Sequence, residues 1–224
     1  MAEISEKRGL LIVSLPKNEI KLAKAAKDAG AEILEVHVNM LHPAAGTRFR
    51  SLNQERGALE AILATGLPVG IVIGEEETIS RRELQEIKQL GFCYISASIN
   101  MLRPYHFEVG LPVIPALYPA FPSEMLPYLR TLPGEWLVAD ILPLEAHGKE
   151  MRAEDLVRLS MVGQMTDRRL VIPTQRKLQP DDLTYLFQLP YANAIRLSTV
   201  VTGNGSEGIF RATSDFREKL DAIL

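Results

Sequence analysis

The sequence predicts an α/β protein built as a (β/α)8 TIM barrel, a single domain over residues 1–224. Three observations lead there. Short runs rich in Val, Ile and Leu alternate eight times with helical stretches, the pattern of strands covered on both faces. Such alternation implies parallel strands with right-handed crossovers, and eight units favour closure into a barrel. No G-x-G-x-x-G follows the first run, which lowers the alternative of an open doubly wound sheet. With 46% hydrophobic and 24% charged residues, the chain is ordinary for a globular protein with one large core.

The elements follow in order. Residues 9–16 read as a buried strand stopped by Pro16. Asn18 is placed to cap a helix over 19–28, which Gly30 ends. A strand over 32–39 follows, then a long polar connection over 40–52. Asn53 caps a helix to about residue 65, stopped by Gly66. Residues 68–74 form the third strand. Ser80 opens a helix through Leu90, ended by Gly91, and 92–98 is the fourth strand. Residues 100–110 carry Pro104 and read as a short helix or a loop. The fifth strand covers 111–117 and a short helix 122–132. The sixth strand covers 135–142, its helix 153–165. The seventh strand covers 169–174, and Pro180 opens its helix over 181–189. The eighth strand covers 194–201, and the last helix or helices begin at Ser206.

Bulk properties exclude several classes. The net charge of −3, with basic residues scattered, gives no nucleic-acid footprint. No apolar run approaches the ~20 residues of a membrane span, and the first eight residues lack a signal core, so a cytoplasmic location is expected. Cys93, the single cysteine, has no intramolecular partner and reads as an inert core residue.

Chemistry in a barrel sits at the C-terminal strand ends and the loops after them. Strand two is the clearest case. Leu34, Val36 and Val38 form one face; Glu35, His37 and Asn39 form the other. Three polar residues in a row need a polar destination, and the barrel mouth supplies one. Glu35 suits a general base and His37 a proton carrier, while Asn39 would orient a substrate oxygen. In strand six, Trp136, Val138 and Asp140 share a face, making Asp140 a candidate base or metal ligand. In strand four, Ser96, Ser98 and Asn100 share a face, with Ser98 a candidate substrate contact. Arg48 and Arg50, in the long connection, suit an anionic group. After strand seven, Arg176 and Lys177 are candidate phosphate partners. Lys177 is a poor Schiff-base lysine, because a polar loop does little to lower its pKa. His106 and His147 carry no spacing signal. No nucleophile elbow, P-loop or zinc cluster is present. Glu35 and Asp140 would suit a hard cation such as Mg²⁺, but no ligand spacing requires one.

The segment Val200-Val201-Thr202-Gly203-Asn204-Gly205-Ser206-Glu207-Gly208-Ile209 is the most specific local signal. Its glycines let backbone N–H groups point at an anion, and Ser206 is placed to cap a helix whose N-terminus favours phosphate. Residues 200–219 resemble the closing βα unit of the ribulose-phosphate-binding barrels, a group of (β/α)8 isomerases, decarboxylases, synthases and aldolases. The resemblance implies phosphate contacts from Gly203, Asn204, Gly205 and Ser206. The loop at Pro173-Thr174-Gln175-Arg176-Lys177 departs from that pattern, since it lacks glycines, and side-chain charge from Arg176 or Lys177 would have to stand in.

The expected function is acid–base chemistry on a small phosphorylated metabolite, of isomerase, epimerase or carbon–carbon lyase type. Glu35, His37 and Asp140 would carry it. A regulatory barrel that binds such a ligand without chemistry, and a metal-dependent barrel enzyme, are the alternatives. The apolar stretch 111–121, with Tyr118 and Phe121, fits either a homo-oligomer interface or a barrel strand and its loop.

Overall fold

The computed structural model describes residues 7–42, 44–74 and 79–224. Its barrel strands are β1 (Leu10–Ser14), β2 (Ile33–Val38), β5 (Val69–Ile73), β6 (Tyr94–Ser98), β7 (Val113–Ala116), β8 (Trp136–Val138), β9 (Arg169–Pro173) and β10 (Ala192–Leu197). All pair in parallel, each with its neighbour in the chain, and β10 closes on β1. The helices are α1 (Ile20–Asp28), α2 (Leu52–Leu63), α3 (Arg81–Leu90), α4 (Ala153–Thr166), α5 (Leu183–Leu186), α6 (Thr199–Thr202) and α7 (Ser206–Ile223). This is the predicted (β/α)8 barrel.

Two apolar clusters hold it together. The larger lies between strands and helices and takes Leu34, Val36 and Val38 from β2 with Leu22, Leu59 and Ile62 from α1 and α2. The smaller fills the barrel itself, with Leu10, Ile12, Ile33, Tyr94, Ile114, Trp136, Val138, Val171 and Ala194. Alternate strand residues therefore divide between the two cores, as the period of two demands. Pairing register places Ser14, Glu35, Gly70 and Tyr94 in one inward row, with His37, Val72, Ser96 and Ile114 in the next towards the mouth.

The connections depart from expectation in instructive ways. Residues 40–52 are no simple loop: β3 (Met40–His42) and β4 (Thr47–Phe49) form an antiparallel hairpin. Pro43, at its tip, lies outside the described residues. The α2 cap is Ser51, paired with Gln54 in a capping box, rather than Asn53. Ser80 caps α3 as expected, its side chain accepting from the Glu83 amide, and Gly91 ends it at φ 94°. The segment predicted as a fifth helix is a 3-10 helix, Ser123–Thr131, with Pro127 inside, where no amide hydrogen is left for α-helical bonding. Pro104–Glu108 and Pro180–Asp182 are also 3-10 turns. Val200 and Val201, read as strand, belong to α6. Cys93 is buried and its thiol is pushed up to about 12, chiefly by burial, which matches an inert core thiol. Among the described residues no helix is long and apolar enough to cross a membrane.

Candidate active site

The inward residues rise from an apolar floor to a polar mouth. Glu35 marks the change. It is 1% exposed, so both carboxylate oxygens need partners. Tyr94 Oη donates to Oε2 at 2.9 Å, and Arg196 Nη1 donates to Oε1 at 3.2 Å. Gly70 makes this reach available: a Cβ there would sit 2.0 Å from Cζ of the Tyr94 ring. Burial, then the Glu35 charge, push the Tyr94 phenol well above its usual range, which keeps it a donor. Glu35 therefore holds two neighbours in place.

His37 lies one row higher and is also buried. Asn18, expected to cap α1, instead grips the His37 peptide. Its Nδ2 donates to His37 O at 2.8 Å, and its Oδ1 accepts from His37 N at 3.3 Å. Glu19 takes the cap position without a side-chain bond. The His37 ring stacks on Phe49 of the hairpin at 4.8 Å and meets the His42 ring edge-on at 5.0 Å. Its Nε2 faces Ser14 Oγ at 3.3 Å, and its Nδ1 is buried with no partner among the described residues. Burial, then His42 and Arg196, hold His37 well below the ordinary histidine value. Burial and Arg196 hold His42 down to about 4. Both rings are neutral at pH 7. Asn39 turns the chain from β2 into the hairpin at φ 56°, a left-handed conformation that Asn tolerates.

Asp140 follows β8 at the mouth. Gln175 Nε2 donates to its Oδ1 at 2.6 Å and lies 3.0 Å from His147 Nε2. Burial raises the Asp140 pKa, while Arg196, His147 and the Gln175 bond pull the other way. Ser14, His37, His42, Ser96, Ser98, Tyr118, Asp140, His147, Gln175, Arg196 and Ser198 line one cavity of about 280 Å³ at the C-terminal ends of the strands.

The structure thus brings His37, Ser98 and Asp140 to one cavity and sets Glu35 beneath it. Other predicted residues lie elsewhere. Arg48 is exposed and pairs across the hairpin with the exposed Leu41, on the face opposite Phe49. Arg176 is spent on Asp155: Nε and Nη2 each meet the carboxylate at 2.9 Å, and Nη1 donates to Ala146 O. Lys177 is exposed. Gly203, Asn204, Gly205 and Ser206 are exposed just after α6 and do not line the cavity, and Gly205, not Ser206, is the N-cap of α7. From the eighth barrel strand and its end the cavity takes Arg196 and Ser198, the latter cross-bonded to Thr174. Among the described residues no three His, Cys, Asp or Glu side chains converge to hold a metal ion. The residues 111–121 are strand β7 and its loop, where Tyr118 and Phe121 pack edge to face at 5.6 Å.

Sequence reasoning missed Arg196, and the signal was available. Ala194, Arg196 and Ser198 alternate with Ile195 and Leu197, so a charged residue stands on the inward face of a strand. His42, Gln175 and His147 had no such signal, because loops carry no period.

No protein-family model matches the chain, and no curated protein matches it. Solved structures do. Tryptophan synthase from M. tuberculosis aligns over 96% of this chain and 93% of its own at 15% identity and a TM-score of 0.70. Phosphoribosyl anthranilate isomerase from Thermus thermophilus aligns over 96% and 99% at 18% identity and 0.62. 3-Keto-L-gulonate-6-phosphate decarboxylase from Vibrio cholerae aligns over 97% and 99% at 13% identity and 0.65. At these identities the likeness is one of fold, and it agrees with the expected resemblance at that level.

Proposed function

We propose that this chain is an enzyme that takes a small phosphorylated metabolite at its C-terminal mouth and moves a proton on it, as an isomerase, epimerase or carbon–carbon lyase. The observation that carries the reading is Asp140. It is a half-buried carboxylate at the cavity wall, oriented by Gln175, with its pKa raised. A carboxylate displaced towards neutrality both accepts and returns a proton efficiently. His37 and His42, neutral and packed edge-on, stand in the same cavity as hydrogen-bonding groups. A volume of about 280 Å³ lies at the small end of ligand sites, which run to roughly 300–1,000 Å³, and favours a small substrate.

The phosphate in this reading sits on the rim after strand eight. There Gly205 caps α7 with no side-chain hydrogen bond, and the first-turn amides of a helix have no partner within it. Two of the structures similar in fold, the phosphoribosyl anthranilate isomerase and the gulonate-6-phosphate decarboxylase, carry phosphorylated compounds in their names, which supports the class.

A thermal-shift screen against sugar phosphates, phosphorylated acids and inorganic phosphate tests this, with and without Mg²⁺ and chelator. A rise in Tm that disappears in Gly205→Asp supports the rim site. No shift from any phosphorylated compound removes the reading. One observation favours a second reading, a binding barrel without chemistry: both oxygens of Glu35 are occupied. Asp140→Asn separates the two. It abolishes turnover of the identified ligand in an enzyme, whereas in a binding barrel no turnover exists to lose.

A further inference from the structure

Among the described residues, Arg176 and Arg196 are both largely buried and paired with carboxylates, and they are used differently. Arg176 has all three nitrogens bonded, two of them bidentate to Asp155. That is a bidentate structural pair with every nitrogen engaged. Arg196 meets Glu35 through Nη1 alone, at 3.2 Å. A guanidinium carries five N–H donors and keeps its charge in proteins. The Arg196 side chain is 14% exposed, and the space it is exposed to is the mouth cavity, whose wall it forms. Its charge reaches the groups around that cavity, lowering His42 and drawing Asp140 down against the effect of burial.

We propose that Arg196 holds a substrate oxygen that is anionic or becomes so, a carboxylate or carbonyl oxygen beside the carbon whose proton Asp140 moves. The substrate class is therefore a phosphorylated carbonyl compound or carboxylic acid with a hydrogen on the carbon next to the C=O. The assignment rests on the acid–base reading of the cavity and narrows it. In the step it describes, Asp140 takes the proton on carbon, the C–H electron pair forms the C=C bond, and the carbonyl π pair moves to oxygen. The new negative charge lies against Arg196. Where that carbon also bears a hydroxyl, its O–H proton passes to the enolate oxygen as Asp140 returns the abstracted proton to the former carbonyl carbon on the same face, so the carbonyl moves by one position and Asp140 is again a carboxylate. Glu35 and Tyr94 act as positioning residues: Glu35 anchors one end of the guanidinium so that the rest faces the cavity, and Tyr94 anchors Glu35. A preorganised cation in a site of low dielectric stabilises such an oxyanion far more than it would in water.

The test compares the binding of two probes by calorimetry. 2-Phosphoglycolate carries phosphate and a carboxylate; glycerol 3-phosphate carries phosphate without one. The wild-type protein is expected to bind 2-phosphoglycolate at least tenfold more tightly. Arg196→Lys keeps a cation opposite Glu35 but loses the fork, and should erase most of that ratio with Tm little changed. Glu35→Gln releases Arg196 from its counter-charge and should increase the ratio, an effect that a purely structural Arg196 would not produce. Equal binding of the two probes to wild type, or a ratio unchanged in Arg196→Lys, overturns the assignment. If neither phosphate binds, the phosphorylated-substrate reading falls, and glycolate and oxalate decide the role of Arg196. Binding lost in Arg196→Lys supports it, and no binding to wild type overturns it.

Discussion

Replacing Gly70 by Ala should destabilise the protein by about 2–5 kcal/mol, although glycine inside a strand is ordinarily worse than alanine by roughly 0.5–1 kcal/mol. The reason is local. Gly70 faces the barrel interior in register with Glu35 and Tyr94. A Cβ there would lie 2.0, 2.4 and 2.5 Å from three ring carbons of Tyr94. A ring is rigid and cannot yield by a methylene rotation, so it must move as a body. Overpacking of this kind costs about 1–3 kcal/mol. Displacing the ring also breaks the Tyr94–Glu35 bond of 2.9 Å, and a hydrogen bond to a buried charge is worth about 1.5–3 kcal/mol. The propensity gain offsets only a small part. The measurement is a double-mutant cycle in urea with Gly70→Ala, Tyr94→Val and the pair, read by fluorescence and circular dichroism together. With the ring gone, Gly70→Ala should become neutral or stabilising. A Gly70→Ala variant within about 0.5 kcal/mol of wild type, or the same cost in the Tyr94→Val background, would show that the ring does not depend on this glycine.

Asp140→Asn should raise Tm at pH 7. A carboxyl whose folded pKa is raised contributes stability at low pH and loses it as pH climbs through that value, so the gain should shrink towards pH 4; a lowered Tm at pH 7 refutes this. The histidines act in the opposite sense. His42 falls from 6.5 to about 4 on folding, so its contribution is complete above pH 6.5 and drains as pH falls towards 4. The drain amounts to roughly 3 kcal/mol at most, with His37 adding in the same direction. Tm measured from pH 7 to 4.5 should drop, and His42→Gln should flatten the slope. Arg176→Met should cost about 3–5 kcal/mol by leaving the buried Asp155 without its counter-charge, yet leave phosphate binding unchanged in the folded protein. Binding lost with the fold intact would return Arg176 to the list of ligand contacts.

What the sequence determined by itself was whatever depends on period and on neighbours along the chain. Eight apolar runs between helical stretches specified parallel strands covered by helices, and their number favoured closure into a barrel over an open sheet. Alternation in β2 placed Glu35 and His37 inside, and the same arithmetic in β8 placed Asp140 with Val138. It would have placed Arg196 as well. Ser80 and Gly91 were readable because helix caps are local chemistry. Tertiary structure decided which polar groups are already satisfied. Asn18 and Asn53 are as good caps on paper as Ser51, but Asn18 meets the His37 peptide across the fold, and no local rule sees that contact. Arg176 and Arg196 are the same residue type, each close to a carboxylate. One faces a buried Asp155 from α4 and the other an open cavity, and that difference arises only when strands and helices distant in sequence close around the same space.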